Sequence, residues 1–197
     1  EVIIIAVKPF KVNEVLDEIK LQISDNQIII SVATGISIED IKNTIGNKTI
    51  FRAMPNTASS VGESMTCVAQ SNATENQTEK VKTIFDTLGE TIIIEENLMN
   101  AATVLGACGI AYVMRFVRAM VQGGIEIGFD SKTANKITNQ TIKGAIELLL
   151  QNGLHPEEEI DKVTTPKGCT IAGLNEMEHQ GFSSSMIKGI KTSFENI

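Results

Sequence analysis

The stretch LMNAATVLGACGIAYVMRFVRAMVQGGIEIG, which spans Leu98–Gly128, decides the fold of this chain. It runs for about thirty residues with almost no charge and no proline, enough for roughly 45 Å of α-helix. Apolar or small side chains lie on nearly every side of that helix, so we expect it to be buried. Four polar residues of its second half recur along one stripe: Arg115, Arg118, Gln122 and Glu126.

A transmembrane helix is the alternative interpretation of this stretch. Two arginines in its middle would together cost several kcal/mol in lipid, which argues against a membrane partner. A core helix fits better, and its apolar surface exceeds what so small a chain can cover, which predicts a partner subunit. Four glycines would allow close backbone approach there, at roughly 1 kcal/mol each in helix propensity: Gly106, Gly109, Gly123 and Gly124.

The composition excludes several classes of protein. The 197 residues suit one large domain or two small ones, and a net charge of −7 without a basic cluster argues against nucleic acid as a partner. The cysteines, Cys67, Cys108 and Cys169, are odd in number and lack CxxC spacing, which indicates reduced thiols and a cytoplasmic protein. No export signal is visible. A chain that opens with Glu1 inside an apolar strand looks like the later part of a longer protein.

Strand and helix patterns alternate along the first half of the chain. Strands are predicted at residues 2–7, 27–33, 49–53, 64–69 and 91–94, and the first is a β-branched run, as in a strand buried on both faces. The alternation is typical of a doubly wound α/β sheet. After about Glu96 every pattern is helical, so we expect an α/β domain over residues 1–97 and an all-α domain over residues 98–197.

Cap residues predict where the shorter helices begin and end. Helix starts are expected at Ser37–Asp40, Thr74–Gln77, Asp130 or Ser131, His155-Pro156 and Ser183–Ser185. Gly46 and Gly89 are expected just past the ends of the first two helices.

Two loops should lie outside the carboxyl ends of strands, where ligands bind to open α/β sheets. They contain Val7-Lys8-Pro9 and Met54-Pro55-Asn56-Thr57, although proline and asparagine also favour turns that bind nothing. No GxGxxG sequence is present, so a dinucleotide phosphate loop would have to lie upstream of Glu1.

The segment VTTPKGCTIAGLNEMEHQG, Val163–Gly181, predicts an anion site at the start of a helix. The amides of Gly168, Cys169 and Thr170 should be unpaired there. Hydroxyl groups add donors at Thr164, Thr165 and Thr170, and Lys167 adds a positive charge. An ordinary Thr-Pro helix start without a ligand is the alternative. No metal site is expected, because the two histidines, His155 and His179, are far apart and lack ligand spacing.

In this order, these segments resemble the pyrroline-5-carboxylate reductase family along essentially the whole chain. The matching segments are IIIAVKP at Ile3–Pro9, RAMPNT at Arg52–Thr57, Ala111-Tyr112, Gly123-Gly124 and VTTPKGCTIAGLNEME at Val163–Glu178. The chain departs from the usual pattern at Lys167, where the family has glycine, and at Cys169. It departs again at Gly106–Ile110, where Ser-Gly-Ser-Gly-Pro is common.

The resemblance implies a partial Rossmann domain, without its first strands, followed by an all-α dimerisation domain. It implies an oxidoreductase of proline biosynthesis that reduces 1-pyrroline-5-carboxylate to L-proline with NADPH or NADH, as a homodimer or a larger oligomer of dimers. The implied cofactor-binding residues are Ala6, Val7, Lys8, Pro9, Met54, Pro55, Asn56 and Thr57. The implied substrate-binding residues are Thr164, Thr165, Lys167, Gly168, Cys169 and Thr170, and the Thr170 hydroxyl would face the ring nitrogen as the catalytic group.

Two other functions stay open on the sequence. A β-hydroxyacid dehydrogenase shares this architecture, but it would normally need a catalytic Lys or His where this chain has Asn100 and Thr103. The second is a catalytically inactive fragment that only dimerises. By itself, the polypeptide Glu1–Ile197 is expected to show little reductase activity.

Overall fold

The computed structural model describes residues 1–197, with five strands and nine α-helices. The strands are β1 Val2–Ile5, β2 Ile28–Ser31, β3 Thr49–Met54, β4 Ser64–Ser71 and β5 Gly89–Ile93. The helices are α1 Val12–Ile19, α2 Ile38–Ile45, α3 Glu75–Asp86, α4 Met99–Ala102, α5 Gly109–Glu126, α6 Ser131–Asn152, α7 Pro156–Lys162, α8 Cys169–His179 and α9 Phe182–Glu195. The predicted class is confirmed: a Rossmann-like sheet domain is followed by helices alone.

The five strands form one sheet in the order β1-β2-β3-β4-β5. β1, β2 and β3 are parallel, with Ile5 opposite Ser31 and Ser31 opposite Arg52. β4 runs antiparallel to β3 and parallel to β5, so the sheet is mixed rather than parallel throughout as a doubly wound sheet would be.

The core lies on both faces of the central strands. Phe51 and Val68 pack with Val81 and Phe85 of α3 on one face. Ile29 and Ile50 pack with the residues of α1 and α2 on the other. The expectation that the first strand is buried on both faces is wrong, because β1 has one neighbouring strand and Ile4 is 48% exposed.

Side-chain caps start the helices of the sheet domain as predicted. Ser37 with Asp40 and Thr74 with Gln77 form reciprocal capping boxes at α2 and α3. Gly46 follows α2 as expected, but Gly89 opens β5 instead of ending α3. A Cβ at Gly89 would lie 2.1 Å from the Ser64 carbonyl oxygen, so only glycine fits beside β4 there.

The predicted long helix is not uniform. A 3₁₀ turn, Glu96–Leu98, leads into α4, and a π-helical segment, Thr103–Cys108, separates α4 from α5. In this π segment the Gly109 amide donates to the Val104 carbonyl, five residues back. Such wide turns are rare, occur mostly as single turns inside α-helices and are frequently found at functional sites.

The chain divides into two compact units, Glu1–Ile110 with Thr192–Ile197, and Ala111–Lys191. In Ala111–Lys191, Asp130 caps α6 and His155 caps α7, as predicted. α9 begins at Phe182, ahead of the predicted Ser183–Ser185 cap, and the Ser183 hydroxyl donates to Glu178 instead.

The run Glu96–Glu126 is long and apolar enough to cross a membrane by length and composition, and 11% of its most apolar part is buried within the chain. Core helices of soluble proteins meet the same criteria, so this is weak evidence for a span. Contrary to expectation, α5 is not buried by the other residues of this chain. Val121 is its only buried residue beyond Gly109, and the Arg115, Arg118, Gln122 and Glu126 stripe is exposed.

Candidate active site

The two predicted cofactor loops lie at the same edge of the sheet. They follow the carboxyl ends of β1 and β3, which flank β2 in the parallel part of the sheet. Ala6, Val7, Lys8 and Pro9 are all exposed. Pro55 and Asn56 are half-buried and Thr57 is exposed, whereas the Met54 side chain is buried in the core. The surface available to a ligand therefore comprises residues 6–9 and 55–57.

Asn56 is held by three hydrogen bonds. Its backbone N–H donates to the Ser64 hydroxyl at 3.0 Å, and its side-chain Oδ1 accepts from the backbone N–H of Ala58 at 2.9 Å. Its Nδ2 donates to the Gly106 carbonyl of the π segment at 3.1 Å. The sequence did not predict this connection, which joins residues fifty positions apart.

A partly buried ion pair between Arg52 of β3 and Glu96 was also not predicted. The Arg52 guanidinium is almost fully buried and donates to Glu96 Oε1 at 3.0 Å. The same oxygen accepts from the Ile38 amide at the start of α2, at 2.6 Å. At this helix start, hydrogen bonds from the Ser37 hydroxyl and amide, together with the Arg52 charge, lower the pKa of Asp40. An arginine in the middle of the apolar strand TIFRAM is the sequence signal for this pair.

The predicted anion site begins with a tight turn, Thr165–Gly168. The Gly168 amide donates to the Thr165 carbonyl at 2.9 Å, and Lys167 has φ 59°. Proline in the second position and a left-handed residue in the third are the features of a type II turn. A Cβ at Gly168 would lie 2.5 Å from the Thr165 hydroxyl oxygen and 3.0 Å from the Thr165 carbonyl oxygen, so a larger residue would displace the Thr165 side chain.

Two of the predicted anion donors are occupied within the chain. The Gly168 amide closes the turn, so its expected unpaired state is wrong. The Thr164 hydroxyl donates to the Ile160 carbonyl of α7 at 2.7 Å, which also removes it from the predicted donors. Cys169 and Thr170 are the first two residues of α8, their amides lack intrahelical acceptors, and both residues are exposed. The anion donors that remain are these two amides, the Thr165 and Thr170 hydroxyls and Lys167.

A cavity of about 550 Å³ lies elsewhere in Ala111–Lys191. α5, the end of α8 and α9 line it with mainly apolar residues, among them Phe116 and Phe182, whose ring centroids are 6.0 Å apart. None of the predicted site residues lines this groove. Its chemistry suits apolar packing rather than an anionic substrate.

Comparison with known proteins agrees with the sequence motifs. The family model for pyrroline-5-carboxylate reductase dimerisation matches residues 96–197. Pyrroline-5-carboxylate reductase 2 of Dictyostelium discoideum is 45% identical over 210 residues, covering 98% of this chain and 70% of that protein. This chain belongs to the pyrroline-5-carboxylate reductase family.

Other members of the family extend this result. Pyrroline-5-carboxylate reductase 1 of Dictyostelium discoideum is 50% identical over 206 residues, which cover 98% of this chain and 37% of that protein. The crystal structure of Plasmodium falciparum pyrroline carboxylate reductase with NADP bound matches with a TM-score of 0.91 at 28% identity, covering 99% of this chain and 75% of that one. The chain thus spans between about a third and three quarters of the length of these three relatives.

Proposed function

We propose that this protein reduces 1-pyrroline-5-carboxylate to L-proline with NADPH or NADH, the last step of proline biosynthesis. The observation that carries the proposal is the start of α8, where the unpaired amides of Cys169 and Thr170 stand beside the exposed Thr170 hydroxyl. This is the chemistry needed to hold a carboxylate and a ring nitrogen at once. Membership of the reductase family supports it.

The sheet edge fits the nicotinamide half of a dinucleotide. Residues 6–9 are exposed, and the main chain of Ala6 and Val7 lies outside any strand or helix. Ala6–Pro9 and Pro55–Thr57 would hold that half of the cofactor, with Met54 supporting the second loop from the core. Glu1–Ile197 contains no GxGxxG loop for the pyrophosphate, so we infer that this polypeptide alone binds the cofactor weakly and shows little activity.

The chain's own residues bind and orient the substrate. The Cys169 and Thr170 amides, with Lys167 nearby, receive the substrate carboxylate, and the Thr165 hydroxyl adds a donor. When bound, NAD(P)H supplies the hydride that reduces the C=N bond. The Thr170 hydroxyl oxygen accepts a hydrogen bond from the protonated ring nitrogen and so fixes which ring face is presented. The protonated imine already carries its proton and positive charge, so the residues supply position rather than a strong acid.

The assembly and location follow from the same proposal. We infer that residues 98–197 form the dimerisation domain and residues 1–97 the cofactor domain, and that the protein works as a homodimer or an oligomer of dimers in the cytoplasm. No membrane or nucleic acid takes part in this function.

Replacement of Thr170 tests the proposal. In the full-length protein, Thr170→Ala keeps the amide and loses the hydroxyl, so turnover should fall by about 10²–10³ while the KM for pyrroline-5-carboxylate changes little. Thr170→Ser should recover most of the loss. Thr83→Ala, which removes the hydroxyl of an exposed residue on α3 in the sheet region, is the matched control and should behave as wild type.

Steady-state kinetics with both substrates decide between the roles of this residue. Wild-type turnover in Thr170→Ala would remove the hydroxyl from the mechanism and leave the helix start as an anion anchor. A wild-type protein without pyrroline-5-carboxylate-dependent NADPH oxidation would contradict the proposed function itself.

A further inference from the structure

The Asn56 side chain connects the β3–β4 loop to the π segment, Thr103–Cys108. Its Nδ2 lies 3.1 Å from the Gly106 carbonyl oxygen. The π segment packs against β3 and β4, so this bond adds a polar contact at one point of a packed surface. It is the one side-chain hydrogen bond that reaches the segment from outside its own helix.

The orientation of this amide is set by its other partner. Oδ1 accepts from the Ala58 amide at 2.9 Å, a backbone donor that requires an oxygen on that side. The amino group must therefore point toward Gly106. The backbone N–H of Asn56 donates to Ser64 Oγ, which is buried beside the Thr66 hydroxyl. Both the main chain and the side chain of Asn56 are therefore held.

The π segment depends on contacts outside its own backbone. A wide turn has poorer internal packing than an α-helical turn, so it persists where surrounding groups hold it. Within the segment Thr103 and Val104 are buried, and the Thr103 hydroxyl donates back to the Met99 carbonyl at 2.8 Å. These contacts hold the start of the segment, and Asn56 holds its middle at Gly106.

Glycine at position 106 is not explained by packing within the chain. A Cβ there would meet nothing within 4 Å. Glycine inside a helix is unfavourable, and the family commonly has serine at this position, so a side chain has room here. That space adjoins the Met54–Thr57 loop, because Asn56 of the loop is bonded to the same residue.

We propose that Asn56 is a positioning residue, which holds the π segment against the cofactor loop and so places Gly106 and its neighbours as a wall of the nicotinamide site. The inference rests on the proposed reductase function. It assigns the Asn56 side chain a role through Gly106 and leaves cofactor contact in Pro55–Thr57 to the main chain and the neighbouring side chains, since Oδ1 and one N–H of Asn56 are already used within the chain.

The variant Asn56→Asp isolates this bond in the full-length protein. The carboxylate keeps an acceptor for the Ala58 amide but places an oxygen against the Gly106 carbonyl. Turnover should fall by about 10- to 100-fold, because a reacting geometry that shifts by an ångström loses that order of rate. The KM for NADPH should change by less than about threefold, because no direct contact with the cofactor is lost.

Hydrogen exchange measures the same bond without any assay of activity. Amides of residues 103–111 should exchange faster in Asn56→Asp, by up to about tenfold, while the exchange of β2 and β3 is unchanged. Asn97→Asp, which makes the same chemical change at an exposed residue, is the control and should match wild type in both measurements. Asn56→Ser provides a second variant, because its short hydroxyl cannot span to Gly106.

The outcomes separate the two levels of inference. Normal exchange together with a raised KM for NADPH would overturn the proposal, because it would show direct cofactor contact by Asn56. Faster exchange with wild-type turnover would also overturn it, since the π segment would then have no part in positioning. If wild type lacks reductase activity, the proposed function fails, and the exchange experiment still reports whether Asn56 holds the segment.

Discussion

In Glu1–Ile110 the sheet carries a closed core, in which Phe51, Ile29 and Ile30 have no exposed surface. In Ala111–Lys191 only Val121, Ala134 and Thr138 are buried, although the helices there are just as rich in apolar residues. Large side chains such as Met114, 62% exposed, and Leu150, 71% exposed, face outward from those helices.

The difference shows that hydrophobic patterning reports burial in an assembly and not in a chain. The sheet region covers its apolar residues with its own helices, whereas the helical region leaves an apolar surface that soluble proteins cover with another subunit. The match of residues 96–197 to a dimerisation family agrees with this conclusion. The apolar groove lined by Phe116 and Phe182 belongs to the same surface.

The largest expected effect comes from a charge on this surface. Met114→Glu should weaken self-association by roughly 5 kcal/mol or more, because a symmetric dimer would bury two unpaired carboxylates. Light scattering at micromolar concentration should then show a folded monomer. Asn43→Glu, a carboxylate added to an exposed position on α2, should leave the oligomer intact.

A substitution in the core of the sheet region should lower stability and leave self-association unchanged. Phe51→Ala should lower the free energy of unfolding by about 3–5 kcal/mol through lost burial and a residual cavity, without changing self-association.

A Met114→Glu protein that remains oligomeric would contradict the comparison of the two regions, since α5 would then lie outside the interface.

A third prediction concerns α5 and the π segment before it. A proline inside a helix clashes with the carbonyl four residues back and costs about 3 kcal/mol or more. At position 110 that carbonyl belongs to Gly106, which is drawn toward Asn56. Ile110→Pro should therefore lower the free energy of unfolding by only roughly 1 kcal/mol, about the contribution of one hydrogen bond. The family commonly has proline at this position. Met120→Pro in the middle of α5 should carry the full penalty.

Urea unfolding of the two proline variants measures the contrast. Equal losses of stability would show that the π segment gives position 110 no special tolerance. The combination of Ile110→Pro with Asn56→Ala should cost more than the sum of the single changes, since the Gly106 carbonyl would lose its side-chain partner.

Much of the sheet region could be predicted because its signals are local. Strand runs, the Ser37 and Thr74 capping boxes and the turn after α2 depend on residues a few positions apart. The antiparallel direction of β4 also had a local signal. Only residues 55–63 join β3 to β4, and a parallel crossover needs a dozen or more.

The parts that escaped prediction depend on distant partners. The Arg52–Glu96 pair spans 44 residues and the Asn56–Gly106 bond spans 50. The sequence GACGI contains no pattern that predicts a π turn. The contact that supports the turn comes from Asn56, in a loop fifty residues earlier in the chain. In the α8 segment the occupied Thr164 hydroxyl was foreseeable, since threonine at a helix end often bonds the carbonyl four residues back. The roles of the remaining site residues stay predictions.

The smallest effect is expected at Lys167, where the helical region departs from its family. The left-handed φ of 59° explains why glycine is usual there, because a residue with a Cβ pays roughly 1 kcal/mol in this conformation. Lys167→Gly removes that strain but adds unfolded-state entropy, so the net gain in stability should stay below about 1 kcal/mol. It also removes a charge beside the proposed carboxylate site, which should raise the KM for pyrroline-5-carboxylate at low salt and have little effect at high salt. Lys167→Ala separates the two effects, since it loses the charge but keeps the Cβ. Thermal unfolding should therefore distinguish the glycine and alanine variants, whereas their KM values should agree. A KM that rises equally at low and high salt would show that Lys167 acts through the shape of the turn rather than through its charge.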